Sequence, residues 1–219
     1  MKRILLYFKN LTCDDRGMFF LVFTTLGNVL IAIIKFIFSF ILPSLWFFIN
    51  ALFLTTLSIS RFFSIRDYHV IKHTNDKKLI RKIGIKNYIN NGILLMALGI
   101  LYFAANVYIY YKGTNTFIHE YLTYLIALIA FWSIGSAIYG MIKYKKEHTP
   151  ILKAVEITSF ANALTSIMLT QIVLLDTYAA SEVYNSNLVN GLTGMGISLV
   201  IILLGLYMVV SINKIKKAG

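Results

Sequence analysis

Apolar runs long enough to cross a bilayer recur six times along the chain, each bounded by short polar or basic segments. They cover Met18–Leu42, Leu45–Phe63, Tyr88–Tyr111, Tyr121–Ile142, Ile151–Leu175 and Leu192–Ile212. A hydrocarbon core of about 30 Å takes roughly 20 helical residues. Helices also satisfy their backbone hydrogen bonds within one segment, which lipid demands. The pattern therefore predicts an all-α polytopic membrane protein with six transmembrane helices. Pro43 and Ser44 leave room only for a tight turn, so the first two spans should form an antiparallel hairpin. The expected organisation is a basic lead over residues 1–17, a six-helix domain over 18–212, and a basic tail over 213–219.

The fifth run is not uniformly apolar. Ala154, Thr158, Asn162, Ser166 and Thr170 recur every four residues and would form a slowly drifting ridge of small or polar side chains. An isolated helix gains nothing by showing that ridge to hydrocarbon. It is expected to face other helices or a wet cavity.

Composition supports the membrane class. Of 219 residues, 58% are hydrophobic and only 14% charged, against about 25% charged in soluble domains. Mean hydropathy is +0.73. The only prolines, Pro43 and Pro150, sit at the edges of apolar runs, which suits uninterrupted helices. One cysteine, Cys13, excludes an internal disulfide and a cysteine-rich metal site. The net charge of +12 does not imply nucleic acid, because its placement follows the positive-inside rule. Lysine and arginine gather in the lead, the second-to-third loop, the fourth-to-fifth loop and the tail. The opposite side has Lys112, with Glu120, Asp176 and Glu182 on or near it. Both termini are thus expected in the cytoplasm. Tyr108, Tyr110, Tyr111, Tyr121, Tyr124 and Tyr178 lie near the outer ends, as an interfacial aromatic belt would. The first apolar run is too long for a signal-peptide core and reads as a retained span. The expected location is a plasma membrane, and the bias toward Ile, Lys, Asn and Phe suggests a bacterium with an AT-rich genome.

Several polar residues lie inside the spans. Asn28 and Lys35 are seven apart, close to one helix face. Lys35 has two readings: its stem snorkels to the interface, or it is a buried cation that meets an anion, a helix terminus or a solute. Asn50 needs several hydrogen-bond partners and suits interhelical contact. Glu156 lies off the ridge, within reach of the interface or Lys153. Gly194 with Ser198, and Ser136 with Gly140, are small-residue pairs suited to close helix contact. His69 and His73, with Asp67 nearby, could share a metal on a helix, though such a trio also arises by chance in a charged loop. No HExxH, GxSxG or phosphate-loop sequence occurs, so neither an enzyme nor a resident cofactor is expected.

Two segments resemble the membrane domain of the cation diffusion facilitator family, and a third fits more loosely. GNVLIAIIKF carries Asn28 and Lys35 at that family's Asn-then-Lys spacing. AVEITSFANALTS fits its fifth-span frame through Ala154, Thr158, Asn162 and Ser166. FFINALFLTTLSIS resembles the second span, with Asn50 at an Asp position. The resemblance implies six spans, both termini inside, a homodimer, and a solute path near Thr158, Asn162, Ser166, Asn50, Asn28 and Lys35. The chemistry departs from the family. Its Asp and His zinc ligands correspond to Thr158 and Asn162 in the fifth span, and to Phe53 and Leu57 or Leu52 and Thr56 in the second. None is an imidazole or a carboxylate, so no metal site is expected. The seven-residue tail after the sixth span gives no expectation of the family's cytoplasmic C-terminal domain. The expectation is a transporter-like protein with an altered solute, or an inactive partner. The alternative is a small substrate-capturing or structural subunit of a larger membrane transport complex.

Overall fold

The computed structural model describes residues 13–41, 45–113, 120–143, 149–178 and 186–212. They form six helices: α1 (Cys13–Ile41), α2 (Leu45–Lys72), α3 (Lys77–Lys112), α4 (Glu120–Lys143), α5 (Pro150–Tyr178) and α6 (Ser186–Val210). No strand occurs among the described residues. Five helices contain segments long and apolar enough to cross a membrane, and α4 carries a shorter apolar stretch, Thr123–Tyr139. The chain is an all-helical membrane protein by these lengths and compositions. The lead through residue 12, the Pro43–Ser44 turn, the basic loop at 144–148 and the tail from 213 lie outside the described residues.

Helix boundaries depart from the apolar runs where polar sequence continues a helix. The hydrophilic stretch after Phe63 is expected to be a loop, yet α2 runs on to Lys72 and α3 starts at Lys77. Hydropathy marks where lipid ends, whereas a helix continues until its backbone is capped. Asp76 supplies that cap, accepting a hydrogen bond from the Lys78 amide at 2.9 Å. At the far end Gly113 takes φ +80° and donates its amide to the Ile109 carbonyl at 2.7 Å, a left-handed stop that suits glycine.

The most extensive packing joins α3 to α6. Glycines create it: a Cβ on Gly205 would sit 2.7 Å from the Gly92 carbonyl oxygen, so the two backbones touch directly. Asn106 fills the space over Gly194, donating to Ser198 Oγ at 3.3 Å. The Gly194/Ser198 pair thus makes the close contact its spacing suggests, while the side chains of Ser136 and Gly140 lie outside the described residues.

A second seam joins α2 to α3 through polar groups. Ser60 donates to Asn91 at 2.5 Å, Asn91 donates to Asn87 Oδ1 at 3.0 Å, and Asn87 donates to Asp67 at 2.9 Å. A buried polar ladder of this kind stands in for the hydrophobic contact that lipid-embedded helices lack as a driving force.

α1 packs mainly on α2, and α4 mainly on α5. The ring pairs Phe36/Phe48 at 5.5 Å and Phe38/Phe47 at 6.3 Å confirm that α1 and α2 run antiparallel. α5 lies at the centre, touching α1, α2, α3, α4 and α6. α1 and α4 expose long apolar faces, including Phe23, Phe40, Phe131 and Trp132, as lipid-facing surfaces do.

Candidate functional site

Because α1 and α4 each lean on a different neighbour, the helices α1, α2, α4 and α5 do not close on one another. A cavity of about 200 Å³ remains between them. Its wall holds Asn28 and Lys35 from α1, Arg61 from α2, Ser133 from α4, and Glu156, Ser159, Asn162 and Ser166 from α5. Four of the six residues expected along a solute path therefore share one space.

The other two do not line it. Thr158 is buried on a different side of α5 and donates to its own Val155 carbonyl at 2.9 Å. Asn50 belongs to the α2–α3 seam, donating to the Trp46 carbonyl at 3.0 Å, with Tyr102 OH 3.5 Å from its Oδ1. The reason for Thr158 is helical geometry. Steps of four residues rotate about 40° each, so Ala154 through Thr170 sweep across much of the helix and cannot all face one cavity. The wall instead uses 156, 159, 162 and 166, a spacing that stays on one side. Ala154, Thr158, Ala161 and Thr165 are buried and absent from the cavity lining.

The second-span positions that correspond to family metal ligands also lie elsewhere. Phe53 and Leu57 are core residues, and Thr56 lines a separate cleft between α2 and α3. Among the described residues no group of three His, Cys, Asp or Glu could hold a metal ion. The His69 and His73 rings stack with centroids 4.6 Å apart, while Asp67 engages Asn87 and Arg66.

Arg61 was not picked out by the sequence reasoning. Its signal was present, since it falls inside the second apolar run, two residues before its end. It is 3% exposed, and Nη2 donates to Ser159 Oγ at 3.0 Å. Among the described residues its Nε finds no partner, and neither does Nδ2 of Asn28 nor Oδ1 of Asn162. The remaining polar contacts are modest: Asn162 Nδ2 to Ser133 Oγ at 3.3 Å, and Ser166 Oγ to the Asn162 carbonyl at 3.0 Å. Neither Lys35 nor Arg61 enters an ion pair among the described residues; the pair Arg66–Asp67, at 3.4 Å, lies outside the cavity. Glu156, which the sequence suggested would serve the interface or Lys153, lines the cavity one turn before Ser159. Two cations and one carboxylate leave the described wall with a formal charge of +1 (2 − 1).

The two cations stand at different levels. The ring pairs between α1 and α2 place Arg61 roughly opposite Thr24, and Thr24 also lines the cavity. Lys35 lies eleven residues further along α1, about 16 Å of helix rise. Beyond Lys35 and Ser166 the space continues into an apolar chamber of about 100 Å³, walled by Phe38, Phe47, Leu125 and Leu169 among others. The cavity thus gathers polar groups from four helices on a wall that also carries Leu21, Phe23, Leu54 and Ala137, and it turns apolar beyond the Lys35 end.

No protein-family model matches the chain, and no curated protein matches it significantly.

Proposed function

We propose that the chain is a transporter-like membrane protein whose cavity between α1, α2, α4 and α5 takes an anionic or acceptor-rich solute in place of a divalent cation. Six spans, both termini in the cytoplasm and a bacterial plasma membrane belong to this reading, as does a layout resembling a cation diffusion facilitator altered at its metal site. The observation that carries it is that Lys35 and Arg61 line the same cavity, with no carboxylate bonded to either among the described residues. An ionised side chain at such depth is costly and marks an ion or substrate pathway. The donors on Arg61 and Asn28 that lack acceptors among the described residues suit a ligand that brings oxygens. Zinc needs imidazole, thiolate or carboxylate, and the wall supplies a single carboxylate among amides and hydroxyls.

The test reads the sign of the cavity directly. In a Cys13→Ala background, Ser166→Cys is labelled with an anionic and a cationic methanethiosulfonate of similar size. The rate ratio, normalised to a free thiol, should favour the anionic reagent and fall on Arg61→Gln or Lys35→Gln. Preference for the cationic reagent would overturn the proposal. So would tight Zn²⁺ binding by calorimetry that Asn162→Ala abolishes.

A further inference from the structure

The wall of the cavity is open on its lipid side. α1 and α4 do not pack against each other to any extent, and a groove of about 770 Å³ runs between them. The groove is lined by apolar and aromatic residues such as Leu128, Phe131 and Tyr139. It shares Ile31, Ile129 and Trp132 with the polar cavity. A route from the hydrocarbon face of the protein to Arg61 therefore crosses no polar barrier.

Two glycines keep that route wide. A Cβ on Gly27 of α1, which lines the cavity, or on Gly135 of α4, which lines the groove, would meet nothing within 4 Å. These two face open space, unlike Gly92, Gly99, Gly194 and Gly205, which pack at helix contacts. A small hydrophilic anion has no reason to pass an apolar groove, since leaving water for hydrocarbon costs it heavily. A ligand with an acidic head and a hydrocarbon tail matches both parts at once. Its head meets the donors of Arg61 and Asn28, and its tail lies against Ile31, Leu128 and Trp132.

We infer that the cavity binds an anionic membrane amphiphile, which enters sideways from the bilayer through the crevice between α1 and α4. This rests on the anion-selective reading above and adds the source of the anion. The acidic head of a lipid and a free phosphate share the chemistry that Arg61 recognises, and the groove selects the lipid.

The experiment is native mass spectrometry of the full-length protein in mild detergent. Its probes are phosphatidylglycerol and a phosphatidylcholine with the same acyl chains, with equilibrium dialysis of inorganic phosphate alongside. The inference expects one phosphatidylglycerol per chain, held at least tenfold more tightly than phosphatidylcholine. Arg61→Gln should weaken it about tenfold, comparable to loss of one buried charged hydrogen-bond donor. Gly135→Leu should weaken it similarly by filling the groove, and the open space at that position keeps this variant folded even if Arg61→Gln is not. Equal retention of the two lipids would mean ordinary boundary lipid and overturn the inference. So would phosphatidylglycerol binding that Gly135→Leu leaves unchanged. Arg61-dependent binding of inorganic phosphate without the lipid would also overturn it, while leaving the anion-selective cavity standing. If neither anion binds in an Arg61-dependent way, both readings fall.

Discussion

Replacing Gly205 by alanine tests the contact on which the α3–α6 pair depends. A Cβ there would lie 2.6 Å from Met96 Cγ, 2.7 Å from the Gly92 carbonyl oxygen and 2.8 Å from the Met96 amide nitrogen. Two of those three atoms are backbone, so no rotamer change relieves the clash. Ordinary contact begins at 3.4 Å, so the helices must separate by about 0.7 Å (3.4 − 2.7) at that point. A gap of roughly 0.5–1 Å forfeits a quarter to a half of each dispersion contact, and overpacking of this kind costs about 1–3 kcal/mol. Glycine-to-alanine also changes helix propensity by up to about 1 kcal/mol, which would blur a single measurement. Gly196 removes that ambiguity. It lies on the same helix, and a Cβ on it would meet nothing within 4 Å. The difference between Gly205→Ala and Gly196→Ala in detergent unfolding therefore isolates the steric term, with an expected gap of about 1–3 kcal/mol. Gly92→Ala should cost less than additively when combined with Gly205→Ala, because the first separation makes room for the second methyl. If Gly205→Ala proves as stable as Gly196→Ala, the backbone contact does not hold the pair together.

Three further outcomes follow from the same structure. Asn91→Ala removes the centre of the α2–α3 ladder, taking away the acceptor of buried Ser60 and one of the donors to Asn87, so unfolding should cost about 1–3 kcal/mol less, whereas alanine at the exposed neighbour Asn90 should change little. Glu156→Gln removes negative charge from the cavity wall and should tighten binding of an anionic ligand about threefold, roughly 0.7 kcal/mol; weaker binding in that variant would give Glu156 a direct role in holding the ligand. Asp76→Ala removes the cap at the start of α3 and should speed amide exchange at Lys78, with a cost of about 1 kcal/mol, whereas Asp76→Asn retains an acceptor and should restore most of the protection.

The membrane class and the helical content are legible in the sequence because they follow from local properties. Hydropathy averaged over a span decides whether it can sit in lipid, and lipid leaves a spanning segment little choice but a helix. The small residues Gly194 and Ser198 point to close packing for the same reason: their size is known without knowing what they meet. Helix ends are less legible. The α2–α3 connection is short because Asp76 caps a polar helix, and no hydropathy average registers a cap. The site itself is half legible. Asn28, Lys35, Asn162 and Ser166 stand out as polar groups at depth, and their burial penalty is evident from type and position alone.

Residue type and position along a span say which side chains are costly in lipid; helix packing says which of them meet. Thr158 and Asn162 are indistinguishable in a four-residue repeat, yet about 40° of helical rotation per step sends one into the wall of a cavity and the other away from it. Glu156, near the end of an apolar run, is expected to reach the interface or Lys153, and nothing in the sequence ties Arg61 to a role in the site. The separate leaning of α1 on α2 and α4 on α5 instead brings both to one cavity wall beside Asn28, with Arg61 buried, and opens the groove that joins that cavity to the lipid. That partition depends on which helix faces each helix chooses, and the choice lies in contacts between segments far apart in the chain.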